Sequence, residues 1–212
     1  MLKNFSQFDY VVINDGSTDK TEKILCDNNI NHVTLIKNLG IGGAMQTGYK
    51  YAEKNGYHRA CQLDADGQHN PEYLPLMEEK MTSDNCDMVI GSRYIEKEGF
   101  QSTFSRRMGK KILTGIIGLI AHKYVTDPTS GFRLCNRKTI ELFANSYPID
   151  YPEPETIAEL FANKMKISEV PVVMNEREGG KSSITPIKSM YYMIKVSIAI
   201  IFSYISNKKK RG

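Results

Sequence analysis

Cysteine is scarce and scattered. The 212-residue sequence holds four, Cys26, Cys61, Cys86 and Cys135, with no CxxC pair and no Cys/His spacing suited to a metal. That excludes a disulfide scaffold or a zinc module and predicts buried, reduced thiols in a cytosolic protein. Met1 to Asp9 lack a basic stretch followed by an apolar run, so no secretory leader is expected. Long apolar runs are missing as well: the uncharged stretch Val196 to Ser206 covers eleven residues, against the roughly 20 needed to span a bilayer. Surplus charge is absent from the body. Lys and Arg number 28 and Asp and Glu 24, a net +4, and Lys208, Lys209, Lys210 and Arg211 carry four of the positives. A neutral body argues against nucleic acid as a partner. There is no internal repeat and no low-complexity linker.

With 41% hydrophobic and 25% charged residues, the chain can bury a core, and its length suits one α/β-sized domain with a small appendage. Short apolar runs alternate with helical patterns. Phe8 to Ile13, His32 to Ile36, Arg59 to Leu63 and Met88 to Ile90 read as strands buried on both faces. Asp19 with Glu22 predicts a capping box. Ala44, Gly48 and Ala52 offer a small-residue helix face after the glycine-rich stretch Asn38 to Gly43, Gly56 ends that helix, and Pro71 suits the first turn of another. The alternation favours a parallel sheet with crossover helices and a ligand site at the carboxyl ends of its strands. Asp15 and the pair Asp64/Asp66 fall there. The order is harder to read after Phe100.

Asp64-Ala65-Asp66-Gly67-Gln68-His69 is the most informative stretch, because two carboxylates one residue apart at a strand end can share a hard cation such as Mg²⁺ or Mn²⁺. Alone it is a weak signal, better explained as a solvated Asp-Gly turn. His69 is left out of the metal set, since a histidine beside carboxylates is as often a supporting or surface residue.

An ordered series surrounds that stretch. Val11-Val12-Ile13-Asn14-Asp15-Gly16-Ser17-Thr18-Asp19 comes first, then Asn38-Leu39-Gly40-Ile41-Gly42-Gly43-Ala44 and Gln62 to His69. Gly91-Ser92-Arg93-Tyr94, Thr126-Asp127-Pro128-Thr129-Ser130-Gly131-Phe132-Arg133 and Arg177-Glu178-Gly179-Gly180-Lys181-Ser182-Ser183 follow. This series resembles family 2 glycosyltransferases of the GT-A fold, and within them the dolichol- and polyprenyl-phosphate sugar synthases, over about residues 8 to 185.

The resemblance implies an α/β, Rossmann-like, mostly parallel sheet flanked by helices. It implies transfer of a sugar from a nucleoside diphosphate sugar to a lipid-phosphate or glycan acceptor, with a divalent metal and inversion at the sugar carbon. Asp15 matches the aspartate that holds the base. Asp64, Asp66 and Gln68 match the metal and diphosphate site. Arg93, Arg133 and Arg177 fall where basic residues gather around phosphates, and Lys181 and Ser182 sit in a glycine-rich loop that can close over them. Asp127 belongs to the loop near the acceptor. Glu155, in Tyr151-Pro152-Glu153-Pro154-Glu155, is the candidate base, although a phosphate acceptor is already anionic and needs positioning more than deprotonation. Asp66, Asp127 and Glu155 are thus the candidate catalytic side chains.

Family members begin with a strand and a Pro-Ala-Tyr-Asn-Glu-like segment that this sequence does not show, so the transferase domain, residues 1–185, is expected to be amino-terminally incomplete. Residues 186–212 form a separate expectation: Ile187, Met190, Tyr191, Ile194, Ile198, Ile201 and Ile205 make one helical stripe ahead of the basic cluster. That helix faces a membrane surface, a membrane-protein partner or another copy, or else packs back as core. With the first option the protein is peripheral at the inner face of the cell membrane. Two other functions stay open: a nucleotidyltransferase, which lacks its glycine-rich basic loop here, and a non-catalytic, membrane-associated binding module derived from such a transferase.

Overall fold

The computed structural model describes residues 7–96, 104–175 and 186–209, with the backbone alone at 104–106 and 186–192. The chain divides into two compact units. One comprises residues up to Ala60 together with Arg137–Pro152, the other Cys61–Asn136 together with residues from Glu153 onward.

In the first unit, the apolar runs around Val12 and Val33 make two short parallel strands, β1 (Val12–Asn14) and β2 (His32–Thr34), joined through helix α1 (Thr21–Asp27). The strands are shorter than the sequence suggests. The expected capping box gives way to a tighter turn: Asp19 Oδ1 accepts the Thr21 N–H at 2.9 Å and the Thr21 hydroxyl, and Lys20 occupies the cap position without a side-chain bond. An Asx turn two residues on competes successfully with the reach to a third. Helix α2 (Gly40–Lys54) lays Gly48 against Ile13 and ends at Asn55, with Gly56 at φ +75° beyond it. It packs on α5 (Arg137–Asn145) through Tyr49, whose ring meets Phe143 edge-on at 5.1 Å. Gly42 admits no side chain, because a Cβ there would collide with Pro148 O and Ile149.

The second unit is organised on a sheet of order β3–β5–β4–β6, where β3 is Arg59–Gln62, β4 Met88–Ser92, β5 Arg133–Asn136 and β6 Ile167–Pro171. β6 runs parallel to β4, with Ile90 opposite Glu169. β5 is antiparallel to β4 and stands between it and β3, which fits a mostly parallel sheet with one reversed strand. β4 is buried throughout, in keeping with its unbroken apolar run. Met88, Val89 and Ile90 are its core, and truncating Ile90 to alanine would cost about 2–5 kcal/mol. Pro71 opens a 3₁₀ turn (Pro71–Tyr73), capped by Asn70, that leads into α3 (Leu74–Asp84). Helices α4 (Phe104–Ala121), α6 (Pro152–Ala162) and α7 (Pro186–Lys209) complete the unit. Leu113 and Ile117 of α4 and Ile157 and Leu160 of α6 are buried.

α7 uses two faces. Val196 and Ile200 are fully buried, and Met193 lies against Gly109 of α4. Ile194, Ile198, Ile201, Phe202 and Ile205 remain exposed. The expected stripe is therefore exposed where it is described, while a second apolar face docks the helix; Ile187, Met190 and Tyr191 lie outside the described side chains. No helix among the described residues is long and apolar enough to cross a membrane. All four cysteines are free, but only Cys86 and Cys135 are buried as expected; Cys61 is half-buried and Cys26, on α1, is exposed.

β1 and β3 each have a strand neighbour on one side only among the described residues.

Candidate active site

The site in the second unit grows from two chain segments. The first is the turn after β3. Asp66 Oδ1 accepts the Gln68 N–H at 3.1 Å, and Gly67 takes the left-handed φ of +78° that closes the turn. The next residue, His69, is almost fully buried, and its Nδ1 accepts the Asp64 N–H at 3.0 Å. Burial lowers its pKa while Asp64 opposes the shift. The ring is therefore neutral with its proton on Nε2, which lies 3.9 Å from Asp64 Oδ2. His69 supports the turn from below and leaves Asp64 half open to solvent. Asn175 fastens the other side, accepting from Gln68 Nε2 at 3.4 Å and donating its own N–H to Gln68 O at 3.2 Å.

The second segment is the loop from Thr126 to Arg133. Asp127 is fully buried, and Arg93 at the end of β4 grips it in a fork, Nε to Oδ2 at 2.7 Å and Nη2 to Oδ1 at 2.8 Å. Arg93 Nη2 also donates to Thr129 Oγ1 at 3.0 Å. Burial works against the charge of Arg93, but Asp127 outweighs it and holds the guanidinium above its ordinary pKa. Tyr94 stands between two cations, with Arg93 Cζ 5.5 Å and Lys110 Nζ 4.2 Å from its ring centre. Burial lowers the Lys110 pKa against the pull of Asp127.

Arg133 is 1% exposed. Its guanidinium donates to Ser130 O at 2.7 Å, Thr156 Oγ1 at 2.7 Å and Pro128 O at 3.3 Å, so in this arrangement it clamps the loop from inside. Glu153, in the first turn of α6, feels both Arg133 and Asp64. Burial raises its pKa, and Arg133 resists. Glu155 is half-buried in the same turn, and its carbonyl accepts from Ser203 of α7 at 3.5 Å.

The two segments touch. The His69 ring stacks on Phe132 at 5.1 Å and 16°. A Cβ on Gly131 would sit 3.4 Å from Asp64 Oδ2 and 3.5 Å from His69 Cε1, ordinary contact distances that place the loop directly against the carboxylate turn. Asp64, Asp66, Gln68, Arg93, Asp127 and Arg133 thus belong to one neighbourhood.

Asp15 is placed in the first unit, where its Oδ1 accepts the Leu39 N–H at 2.7 Å. Gly16, at φ +64°, crosses so close to Lys37 and Asn38 that no side chain fits. Arg177, Lys181 and Ser182 lie outside the described residues, beginning two positions beyond Asn175.

Among the described residues, no three His, Cys, Asp or Glu side chains gather closely enough to enclose a metal. Asp64 and Asp66 offer two hard oxygen donors on one turn, which suits a cation whose remaining ligands come from water and phosphate. Two residues went unread in the sequence, Lys110 and Glu169. Lys110 is one of four basic residues along α4, with Arg106, Arg107 and Lys111, and Glu169 is one charge on a short strand, so neither stands out by its spacing.

Comparison with known proteins agrees with this geometry. The undecaprenyl-phosphate mannosyltransferase of Micrococcus luteus is 30% identical over 84% of this chain and 76% of its own. The UDP-N-acetylglucosamine–dolichyl-phosphate N-acetylglucosaminyltransferase of Methanococcus voltae is 31% identical over 81% of this chain and 76% of its own. Among solved structures, glucosyl-3-phosphoglycerate synthase of Mycobacterium tuberculosis in complex with Mn²⁺ and UDP-glucose superposes with a TM-score of 0.61 at 17% identity, over 92% of this chain and 67% of its own. That likeness fixes the fold as GT-A. Residues 2–143 match glycosyl transferase family 2, and with the Asp64–Asp66 turn set at the end of β3 the chain belongs to that family.

Proposed function

We propose that this glycosyltransferase moves a sugar from a nucleoside diphosphate donor to a polyprenyl-phosphate acceptor at a membrane surface, with inversion at the sugar carbon. The observation that carries the reading is the direct packing of Gly131 and Phe132 on Asp64 and His69, which sets an acceptor loop beside a turn fit for a metal–diphosphate complex. Asp64, Asp66 and the Gln68 amide oxygen would hold Mg²⁺ or Mn²⁺, whose chemistry is to neutralise the charge of the departing diphosphate.

The protein's residues do the rest. Asp15 binds the base. Arg93, Arg177, Lys181 and Ser182 receive phosphate oxygens, for which a guanidinium fork is the fitting partner. Arg133 acts with them by holding the loop in shape. Asp127 fixes Arg93, and Glu155 serves as base only where the acceptor is a neutral hydroxyl. The exposed apolar face of α7, followed by Lys208 and Lys209, lies in the interface of an anionic membrane.

One vesicle experiment tests both halves. The protein is mixed with anionic and neutral vesicles containing polyprenyl phosphate, Mn²⁺ and labelled nucleotide sugars. The expected result is salt-sensitive cosedimentation with anionic vesicles, weakened in Phe202→Ser, and label transferred to the lipid. Nucleotide binding without transfer in any mixture would favour a non-catalytic binding module. Absence of sedimentation would remove the membrane role of α7.

A further inference from the structure

A carboxylate outside the family-like motifs holds the loop in place. Glu169 sits on β6, between Ser168 and Val170, which face the core. Its side chain leaves the sheet on the other face and meets the start of the Thr126–Arg133 loop. Glu169 Oε2 accepts the Thr126 N–H at 2.7 Å, and Oε1 accepts the Thr126 hydroxyl at 2.8 Å and the Asp127 N–H at 3.0 Å. The Thr126 hydroxyl in turn meets Ser92 Oγ at 2.6 Å. The residue after Ser92 is Arg93, whose own N–H approaches Asp127 Oδ2 at 3.3 Å.

One side chain therefore fixes two consecutive backbone amides immediately before the carboxylate that Arg93 grips. The two Glu169 oxygens match the two backbone donors and the Thr126 hydroxyl, and these bonds oppose the burial that raises the Glu169 pKa. Thr126 and Glu169 are 43 positions apart in sequence. Their bond ties the loop to a rigid strand rather than to its own neighbours.

We infer that Glu169 is a positioning residue: by holding Thr126 and Asp127 against β6 it sets where Asp127 stands and hence where the Arg93 guanidinium points. The consequence for sugar transfer rests on the function proposed above, whereas the positioning itself is testable without substrate. Glu169→Gln is nearly isosteric but turns an NH₂ donor toward one of the donors it must accept. Replacing acceptor by donor breaks the match without opening a cavity.

The direct readout is hydrogen exchange of the Thr126 and Asp127 amides and of the Arg93 Nε–H, followed by NMR on the full chain without ligands. Glu169→Gln is expected to speed exchange at all three by at least about tenfold. Ser168→Ala, which removes a 2.6 Å bond to Asp84 from the same strand, serves as the control for general loosening of β6 and is expected to leave them unchanged. Thr126→Val, which keeps both backbone donors, is expected to give a smaller change than Glu169→Gln. Unchanged exchange in Glu169→Gln overturns the inference, and so does an equal change in Ser168→Ala. If Glu169→Gln does not fold, Thr126→Val decides alone: faster exchange at Asp127 and Arg93 supports the role and no change overturns it.

With transfer to polyprenyl phosphate measurable, Glu169→Gln should raise the acceptor KM and leave the donor KM within about twofold. Equal effects on both would overturn the inference and leave the family function standing. Failure of wild type to transfer sugar would remove the functional reading and leave the exchange result intact.

Discussion

The Asp64–His69 turn and the Thr126–Arg133 loop lie against each other but are built in opposite ways. The turn takes its shape from neighbours, Asp66 to Gln68 and Asp64 to His69, and Asn175 braces it from 107 positions away. The loop is closed by distant residues: Arg93 is 34 positions from Asp127, Glu169 is 43 from Thr126, and Thr156 is 23 from Arg133. The turn presents its carboxylates outward, and the loop buries its charges. The outward carboxylates of the turn can therefore change without loss of fold, whereas the buried charges of the loop cannot.

The largest effect should come from breaking the loop. Asp127→Ala removes the carboxylate partner of the largely buried Arg93, which should cost about 3 kcal/mol, near the lower end for a broken buried pair because Arg93 keeps some solvent contact and its bond to Thr129. Asp66→Ala, which loses the bond to the Gln68 N–H, should cost only about 1 kcal/mol. Urea denaturation of both variants checks the contrast, and comparable losses would erase it.

This difference also explains what the sequence disclosed. Asp64, Asp66 and Gln68 stand together because local spacing is visible in a linear string. Arg93 and Asp127 are each visible as motif residues, but their pairing depends on β4 and the loop meeting in space. Arg133 stands in a phosphate-associated motif, and only its burial reveals that its donors face loop carbonyls. Glu169 is invisible from the sequence, since a glutamate in Ile-Ser-Glu-Val-Pro fits an edge strand equally well. The same reason hides the antiparallel β5: chain direction within a sheet follows from the path of α4, and its Thr114-Gly115-Ile116-Ile117-Gly118 stretch gives a weak helical signal. α7 was legible on one face only. Ile194, Ile198, Ile201 and Ile205 keep a clean period, while Val196 and Ile200 form a second apolar face that one stripe does not describe.

A smaller effect sharpens the comparison through pH. Burial raises the Glu153 pKa, with Arg133 opposing. The folded state thus holds a proton that the unfolded chain releases. Stability from this group is complete below the ordinary glutamate value near 4.5 and is lost as pH rises through the folded value. Glu153→Gln keeps the neutral shape, so its Tm should match wild type near pH 4 and exceed it increasingly toward neutrality. A constant difference across that range would show that Glu153 does not couple protonation to the packing around Arg133.

The central claim is that the Asp64–Asp66 turn binds a metal–nucleotide complex in a family 2 glycosyltransferase. Calorimetric titration of UDP and of GDP, with and without Mn²⁺, in wild type and Asp66→Ala, tests it most directly. Mn²⁺ is expected to strengthen binding of at least one nucleotide by tenfold or more in wild type, and Asp66→Ala is expected to remove the enhancement while still unfolding cooperatively. Equal affinity with and without metal, for both nucleotides and in both proteins, would contradict it.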